Sequence, residues 1–474
     1  MTKRPERQPC NILLIHSDQH RFDALGVNGH PLVRTPNLDR LAAEGVNFTQ
    51  AFCPTPICSP ERASLVTGCW PTRHGCMSIP GAEIYRPAQA DLPLLPSLLH
   101  AAGYFVAHIG KFHNETAATP DKNGADVYIP ENAYDQWRKA RGVPPCPMPV
   151  YRGNDLSRWF GAVDNAATAA TSRLAWGAGE VDRLLDDCAG KKRPFFIRWD
   201  PSEPHLPCQP PPEFAALYPP KNVPPWPSFA DTLEGKPFIQ GQQRRTWGIA
   251  GWKWNDWAPV VARYLAVISL LDAQVGRLLA ALHRLNLEQD TLVVYTTDHG
   301  DLCGGHGMLD KHFVLYDDVV RVPLIMRLPG VVPAGRTCAD FVTNAIDLAT
   351  TFCRAAGIRP PATFSGRDLL PSAAGTAKDP RTDIFAMAQG SQFGLYSQRM
   401  VRDRRWKYVW NAVAEDELYD LAADPGELTN LALQPECRAE LQRLRGRLVK
   451  WMETIEDPLL NGWTRRQLEQ GLKP

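Results

Sequence analysis

Asn11-Ile12-Leu13-Leu14-Ile15-His16-Ser17-Asp18-Gln19 is an apolar run that ends in an acid and an amide. Residues 11–16 read as a first strand. A second such run, 291–296, is followed by Asp298 and His299. Asp18 and Asp298 therefore both stand just beyond the carboxyl ends of predicted strands, where open α/β sheets place their ligands. Working outward, strand-like and helix-like runs alternate. Residues 94–102 predict a helix with Pro96 in its first turn, where proline is tolerated. Residues 104–109 predict a strand, 166–187 a helix and 194–199 an extended segment. Residues 264–285 predict a long amphipathic helix with Leu265, Ile268, Leu271 and Val275 on one stripe. This alternation argues for an α/β fold with a mostly parallel sheet flanked by helices.

Two stretches, 114–164 and 201–259, are rich in Pro, Gly and Trp and lack periodicity; long irregular stretches of this kind are functional loops or insertions. From about Asp383 the pattern changes to short strands and turns, then a helix over 435–454. The expected organisation is a main α/β domain over 1–380 and a C-terminal subdomain over 381–474, with a small antiparallel sheet and a terminal helix.

The chain has 474 residues, is 44% hydrophobic and carries 52 basic against 51 acidic residues. That is enough apolar material for a large core. A net charge of +1 gives no global field pointing to nucleic acid or a membrane surface. Residues 1–8 are charged, and the apolar run 12–15 is too short for a signal sequence. No stretch is expected to cross a membrane, and the simplest location is cytoplasmic. The 12 cysteines are scattered, which predicts reduced thiols rather than a disulfide framework. Cys53, Cys58, Cys69 and Cys76 crowd together without a zinc-ligand spacing; all but Cys58 read as packing residues.

Cys58-Ser59-Pro60-Glu61-Arg62 ends a Pro-rich loop and begins a helix. Pro60 suits the first helical position and Ser59 the N-cap. Cys58 then lies where backbone N–H groups and the helix dipole favour an anion. Arg62, a turn away, offers a planar guanidinium to a tetrahedral oxyanion. These features describe a reactive centre facing a phosphate- or sulfate-like group. The bland alternative is a buried, inert thiol. Asp18, Gln19, Asp298 and His299 form a mixed oxygen and nitrogen donor set for a hard-to-borderline divalent ion. Asp39 and Asp301 read as local capping residues, and His16, His20, His74, His108, His306 and His312 as hydrogen-bonded histidines. Trp247, Trp252, Trp254 and Trp257 cluster near Arg244, Arg245 and Lys253. Trp252 and Trp254 are candidates to line a pocket for a sugar or aryl group, with a structural patch or subunit contact as the alternative.

The chain resembles the type I sulfatases of the alkaline phosphatase superfamily. Six segments carry the resemblance, in family order: the 11–19 run; Thr35-Pro36-Asn37-Leu38-Asp39-Arg40-Leu41 and the Cys58 motif with Thr67-Gly68; Gly103-Tyr104 through Gly110-Lys111-Phe112-His113; Pro204-His205-Leu206-Pro207; Thr297-Asp298-His299-Gly300-Asp301 with Lys311; and Glu417-Leu418-Tyr419-Asp420-Leu421 with Asp424-Pro425 and Asn430-Leu431. The resemblance implies an alkaline-phosphatase-like fold. It implies that Cys58 is oxidised to formylglycine by a formylglycine-generating enzyme, and that the aldehyde hydrate is the nucleophile. Asp18, Gln19, Asp298 and His299 would hold one divalent metal ion, Ca2+ or Mn2+. The Asp-Gln and Asp-His pairs look like those of choline sulfatases and phosphonate monoester hydrolases, and favour manganese or a similar transition ion over calcium.

Lys111, His113, His205 and Lys311 would face the substrate, a small-molecule or carbohydrate sulfate ester. By the same resemblance, Asp298 helps deprotonate the hydrate, His205 protonates the departing alcohol with help from Lys311, and His113 takes the second hydroxyl proton as sulfate leaves. Arg62 would hold the hydrate and the motif loop. The alternative within the fold is a phosphonate monoester or phosphodiester hydrolase; Lys111 and His113 argue against it. A catalytically silent binding protein would have lost a ligand or the nucleophile, and none is lost here. A homo-oligomer is compatible with the sequence, with the tail 457–474 as a candidate contact.

Overall fold

β1 (Asn11–Ser17) lies in the middle of an eight-stranded sheet, in a computed structural model that describes residues 9–82, 84–146, 160–191, 193–390 and 394–471. The charged stretch 1–8, residues 147–159 of the first irregular stretch and residues 472–474 of the tail lie outside the described residues. The other strands are β2 (Val46–Phe48), β3 (Ala51–Phe52), β4 (Phe105–Gly110), β5 (Val127–Pro130), β6 (Phe195–Asp200), β7 (Thr291–Thr297), β8 (Leu324–Arg327) and β9 (Arg336–Cys338). β10 is Val342–Thr343. The main sheet runs β5-β4-β6-β1-β7-β8-β2-β9. β1 is parallel to both β6 and β7, and only β8 runs against its neighbours.

The apolar runs have a direct structural cause. Ile12 and Leu14 face one core with Leu65 and Phe352, while Leu13 and Ile15 face another with Ala178, Tyr264 and Ile268. A strand covered on both faces needs apolar residues at every position. The helices Arg173–Cys188 and Trp254–Arg284 cover one face. α2 (Cys58–Thr67) and the helix Asn344–Ala355 cover the other; α1 (Pro36–Ala43) packs beside the long helix.

A second sheet, β11 (Ile384–Gly390), β12 (Tyr396–Arg402), β13 (Trp406–Asn411) and β14 (Glu417–Asp420), is an antiparallel meander. One of its faces receives the helix Arg438–Thr454 through Leu441, Leu444, Leu448 and Met452. The other contributes Ala386, Ala388, Met400 and Val409 to the core of the main sheet.

Several expectations need correction. The long helix begins at Trp254, ten residues before the position expected at 264. Its first turns fall in the stretch 201–259 read as irregular; Pro259 lies near the helix N-terminus and removes a single backbone bond, while Trp257, Val260 and Val261 around it are buried. Contrary to expectation, that helix is also long and apolar enough to cross a bilayer by length and composition. Its most apolar window is 78% buried in the protein, so those residues serve the core. The helix expected from 166 starts at Arg173, where Ser172 accepts from the Ala175 N–H and caps it. The irregular stretches contain the helices Ala133–Ala140 and Phe238–Thr246.

Candidate functional site

The pairing of β1 with β7 puts Ser17 opposite Thr297, so Asp18 and Asp298 emerge side by side. Gln19 follows with a positive φ of 67°, its N–H donating to Asp298 Oδ1 at 3.0 Å. α2 points its first residue, Cys58, at the same place: Cys58 Sγ is 3.1 Å from His299 Nε2 and 3.9 Å from Asp18 Oδ1. Ligand atoms of Asp18, Cys58, Asp298 and His299 all lie within 4.8 Å of one another, and all four residues are buried. His299 Nδ1 lies 2.8 Å from the Gly300 carbonyl, which can only accept. Nδ1 therefore carries the proton and Nε2 faces the cluster, the arrangement of a metal-ligating imidazole. The donor set fits a divalent cation: three of its four atoms are carboxylate oxygen or imidazole nitrogen. Gln19 adds an amide whose Nε2 donates to Asp310 Oδ1 at 3.1 Å, which orients Oε1 as the acceptor; Oε1 takes a hydrogen bond from Lys311 at 2.8 Å and is the atom that could face a cation.

The start of α2 departs from expectation. Ile57 is the N-cap and Cys58 the first helical residue. Ser59 is no cap; its hydroxyl donates to the His113 carbonyl at 2.7 Å and ties the two motif loops together. Pro60 still falls in the first turn, where a missing N–H costs nothing. Arg62 also has partners other than those expected. Its guanidinium donates to Asp18 Oδ2 at 2.9 Å, to Asp298 Oδ2 at 3.0 and 3.1 Å, and to Asp200 Oδ1 at 2.5 Å. These carboxylates end β1, β7 and β6, and a fully buried cluster of this kind needs a countercharge.

Lys111 follows β4 and reaches Asp18 Oδ2 at 2.6 Å. Gly110 makes this possible: at φ 103° a Cβ there would come within 2.2 Å of the Asp200 carbonyl. Gly110→Ala should therefore cost about 1–3 kcal/mol of stability and, by shifting Lys111 and Asp200, lower kcat by about 100-fold. Thermal denaturation and steady-state kinetics on one preparation check both.

His205 and Lys311 meet as expected. His205 Nδ1 is 2.6 Å from the Leu206 carbonyl and so carries its proton there; Lys311 Nζ donates to Nε2 at 3.0 Å. Lys311 also donates to Gln19 Oε1 at 2.8 Å and lies 3.0 Å from Asp310 Oδ1. His113 Nδ1 is buried and has no hydrogen-bond partner.

The charges shift one another. Burial and Asp18 push the Cys58 thiol up, but Lys111, Lys311 and His299 together hold it well below the usual range. Burial raises Asp18, and Lys111, His205 and Arg62 bring it well below an ordinary carboxylate. Burial lowers His299, and Asp298 and Cys58 outweigh it, raising the imidazole to about 9; a cation bound at Nε2 would displace that proton.

Sequence reasoning missed Asp200, Asp310 and the role of His16. Asp200 accepts from Arg62, Arg198 and His16 Nδ1, the last at 2.8 Å. Burial lowers His16, but Glu61 and Asp200 outweigh it and leave it raised. Asp200 ends an apolar strand exactly as Asp18 does in kind, so the rule that found Asp18 would have found it. Asp310 carried no local signal beyond its neighbour Lys311. Among the other expectations, Asp301 accepts from the Cys303 N–H at 2.9 Å, a local cap, and the cysteines are all free thiols.

Trp252 and Trp254 are not brought to this cluster. Trp252 packs edge-on against Phe160 and Trp257 at 6.0 and 5.0 Å. Trp254 packs on Phe229 at 5.0 Å and donates its N–H to the Val223 carbonyl at 2.7 Å. The structural-patch alternative is the one observed; composition alone does not say which way an aromatic side chain points. Trp252→Ala should lower stability by roughly 1–3 kcal/mol and change KM for a large and a small substrate alike. A KM effect confined to the large substrate would contradict this.

A sulfatase family model matches residues 10–358, and the model of the N-sulphoglucosamine sulphohydrolase C-terminal region matches residues 304–454. An uncharacterized sulfatase, YidJ, of Escherichia coli (strain K12) is 27% identical over 100% of this chain and 92% of its own. An arylsulfatase of Clostridium perfringens (strain 13 / Type A) is 28% identical over 95% of this chain and 96% of its own. The solved phosphonate monoester hydrolase of Agrobacterium radiobacter superposes with a TM-score of 0.80 at 27% identity, covering 94% of this chain and 96% of that one.

Proposed function

The chain belongs to the sulfatase family and is a sulfatase, and from that premise we propose that it hydrolyses a small-molecule or carbohydrate sulfate monoester, with residue 58 as formylglycine supplying the attacking oxygen. The observation that carries this reading is the buried cluster of Asp18, Cys58, Asp298 and His299, flanked by Lys111 and Lys311. A divalent cation, Ca2+ or Mn2+, held by Asp18, Gln19, Asp298 and His299 would supply Lewis-acid polarisation of oxygen at residue 58.

The remaining work falls to the chain's own side chains. Lys111 and Lys311 are ammonium groups placed to neutralise the non-bridging oxygens of the sulfuryl group, where charge stabilisation contributes most. The departing alkoxide needs a proton. Lys311 already donates to His205 Nε2, so the pair holds that proton jointly, with His205 fixed in one tautomer by the Leu206 carbonyl. His113, whose Nδ1 is buried and unpartnered, would accept a proton as sulfate leaves. Arg62 holds the carboxylates rather than the substrate. A cavity of about 400 Å³ lined by Ile57, Ser78, Ile79, His312 and Gln389 adjoins the residues before Cys58 and after Lys311, and gives the leaving alcohol its room. A formylglycine-generating enzyme is the maturation partner this reading requires.

The second reading, a phosphonate monoester hydrolase, is favoured by the Asp-Gln and Asp-His donor pairs and by the likeness to the Agrobacterium enzyme. A paired assay separates the two. Metal-replete protein, with conversion of Cys58 confirmed by peptide mass, is given an aryl sulfate and an aryl phosphonate monoester with the same leaving group. We expect kcat/KM to favour the sulfate by at least about tenfold, a difference of about 1.4 kcal/mol in barrier. A preference for the phosphonate would reassign the enzyme. Stoichiometric calcium in untreated protein would overturn the expectation of manganese.

A further inference from the structure

Given sulfate monoester hydrolysis at residue 58, the reading proposed above, the cavity of about 400 Å³ beside the cluster limits which alcohol can leave. Ile57 stands immediately before Cys58 and His312 immediately after Lys311, and both line it. Its size is near the lower end of the range of about 300–1,000 Å³ for small-ligand sites. Ile57, Ile79, Pro80 and Ala82 present hydrocarbon, and among the described residues no lysine or arginine lines it. The lining group able to carry positive charge, His312, turns Nε2 to Asp310 Oδ2 at 3.3 Å and has Nδ1 sealed in the protein. A second anionic group on the substrate would therefore enter without a countercharge, and the hydroxyls of a sugar would leave water for apolar walls. Both are costly.

One uncharged polar side chain is placed to meet the alcohol. Gln389 lines the cavity from the end of β11, is half-buried, and its amide makes no hydrogen bond with any described residue. Its position is fixed from two sides. β11 pairs there with β12, with Gln389 opposite Ser397. At the next residue, Gly390, a Cβ would come within 2.3 Å of the Phe313 ring. The strand end thus packs directly on the residue after His312, and Gln389 is held relative to the loop that carries Lys311. An amide both donates and accepts and carries no charge, so it rewards a neutral polar group and offers nothing to an anion that a cation would not offer better.

We propose that the substrate is the sulfate ester of a small, uncharged and largely apolar alcohol, and that Gln389 selects it by hydrogen bonding to one neutral polar group on its body. A polysulfated or uronate-bearing saccharide is the class that the cavity rejects. Phenyl sulfate, 3-carbamoylphenyl sulfate and 3-carboxyphenyl sulfate test this; the last two are nearly isosteric and differ by one charge. kcat/KM is measured for all three on one preparation of metal-replete protein with Cys58 converted, and again for Gln389→Leu and Gln389→Lys. The readout is the ratio between substrates, which does not depend on the fraction of protein that is converted or metal-loaded.

We expect the wild type to favour the carbamoyl over the carboxyl compound by at least about tenfold. Gln389→Leu should cut the advantage of the carbamoyl compound over phenyl sulfate by about fivefold. Gln389→Lys should raise the carboxyl compound relative to the carbamoyl one by at least about tenfold. A purely structural role for Gln389 would move all three rates together. Turnover of the three sulfates without preference, or ratios that ignore both substitutions, would overturn the proposal and leave hydrolysis at residue 58 standing. Turnover of none would overturn that hydrolysis and the proposal with it.

Discussion

Replacing Cys58 by alanine is expected to lower turnover of an aryl sulfate by about 10⁴-fold or more, the scale on which loss of a nucleophile is felt, with little change in melting temperature. Cys58 is buried and contacts His299 and Asp18, and its removal leaves their mutual geometry supported by Arg62 and Lys111. Cys58→Ser belongs in the same experiment: the hydroxyl fills the site without being convertible by an enzyme that acts on the thiol. Unconverted wild-type protein should match the serine variant rather than the converted enzyme. Retention of more than about a hundredth of the wild-type rate by Cys58→Ala would remove residue 58 from the reaction and leave the cluster a structural ion site.

Arg62→Met is expected to be the most destabilising single substitution in the site. It leaves Asp18, Asp200 and Asp298 buried around a missing guanidinium, and breaking a buried ion pair from one side costs about 3–5 kcal/mol. The pH dependence has a definite sign. Asp200 is raised by burial and brought far down by Arg198, His108, His16 and Arg62, and Asp18 is lowered in the same manner by Lys111, His205 and Arg62. Depressed carboxylates contribute stability that is present above the unfolded pKa of about 3.9 and lost as pH falls through the folded value. The gap between wild type and Arg62→Met should thus be widest near neutrality and narrow below about pH 4. Urea denaturation at several pH values measures it; a gap that grows on acidification would show that Arg62 is not the countercharge.

Much of this was legible in the sequence because the burial of β1, β6 and β7 on both faces forces apolar runs, and each run points to the acid at its end. The Cys58 motif and the residues following β4 and β7 were legible as short patterns whose order matched a known family. The rest depended on long-range geometry. Arg62 was assigned to the oxyanion because a guanidinium and a nearby thiol suggest that pairing; only the sheet shows that three carboxylates claim it first. Gln19 was named as a ligand without the Asp310 contact that orients its amide. Trp252 and Trp254 were read as candidate pocket residues, with a structural patch or subunit contact as the alternative, because indoles beside arginines serve either purpose, and the first turns of the long helix fell in a stretch without periodicity.

The central residues of the site hang from the ends of β1, β6 and β7, whereas the adjoining cavity is lined by residues 78–82 and by Gln389 and Gly390 at the end of β11. On the proposed reading, chemistry and selectivity are thus written in different parts of the chain. These lining segments can diversify, by drift or by directed libraries, without any alteration to β1, β6 and β7, which deliver the reacting groups, and a change of substrate need not await a change of mechanism.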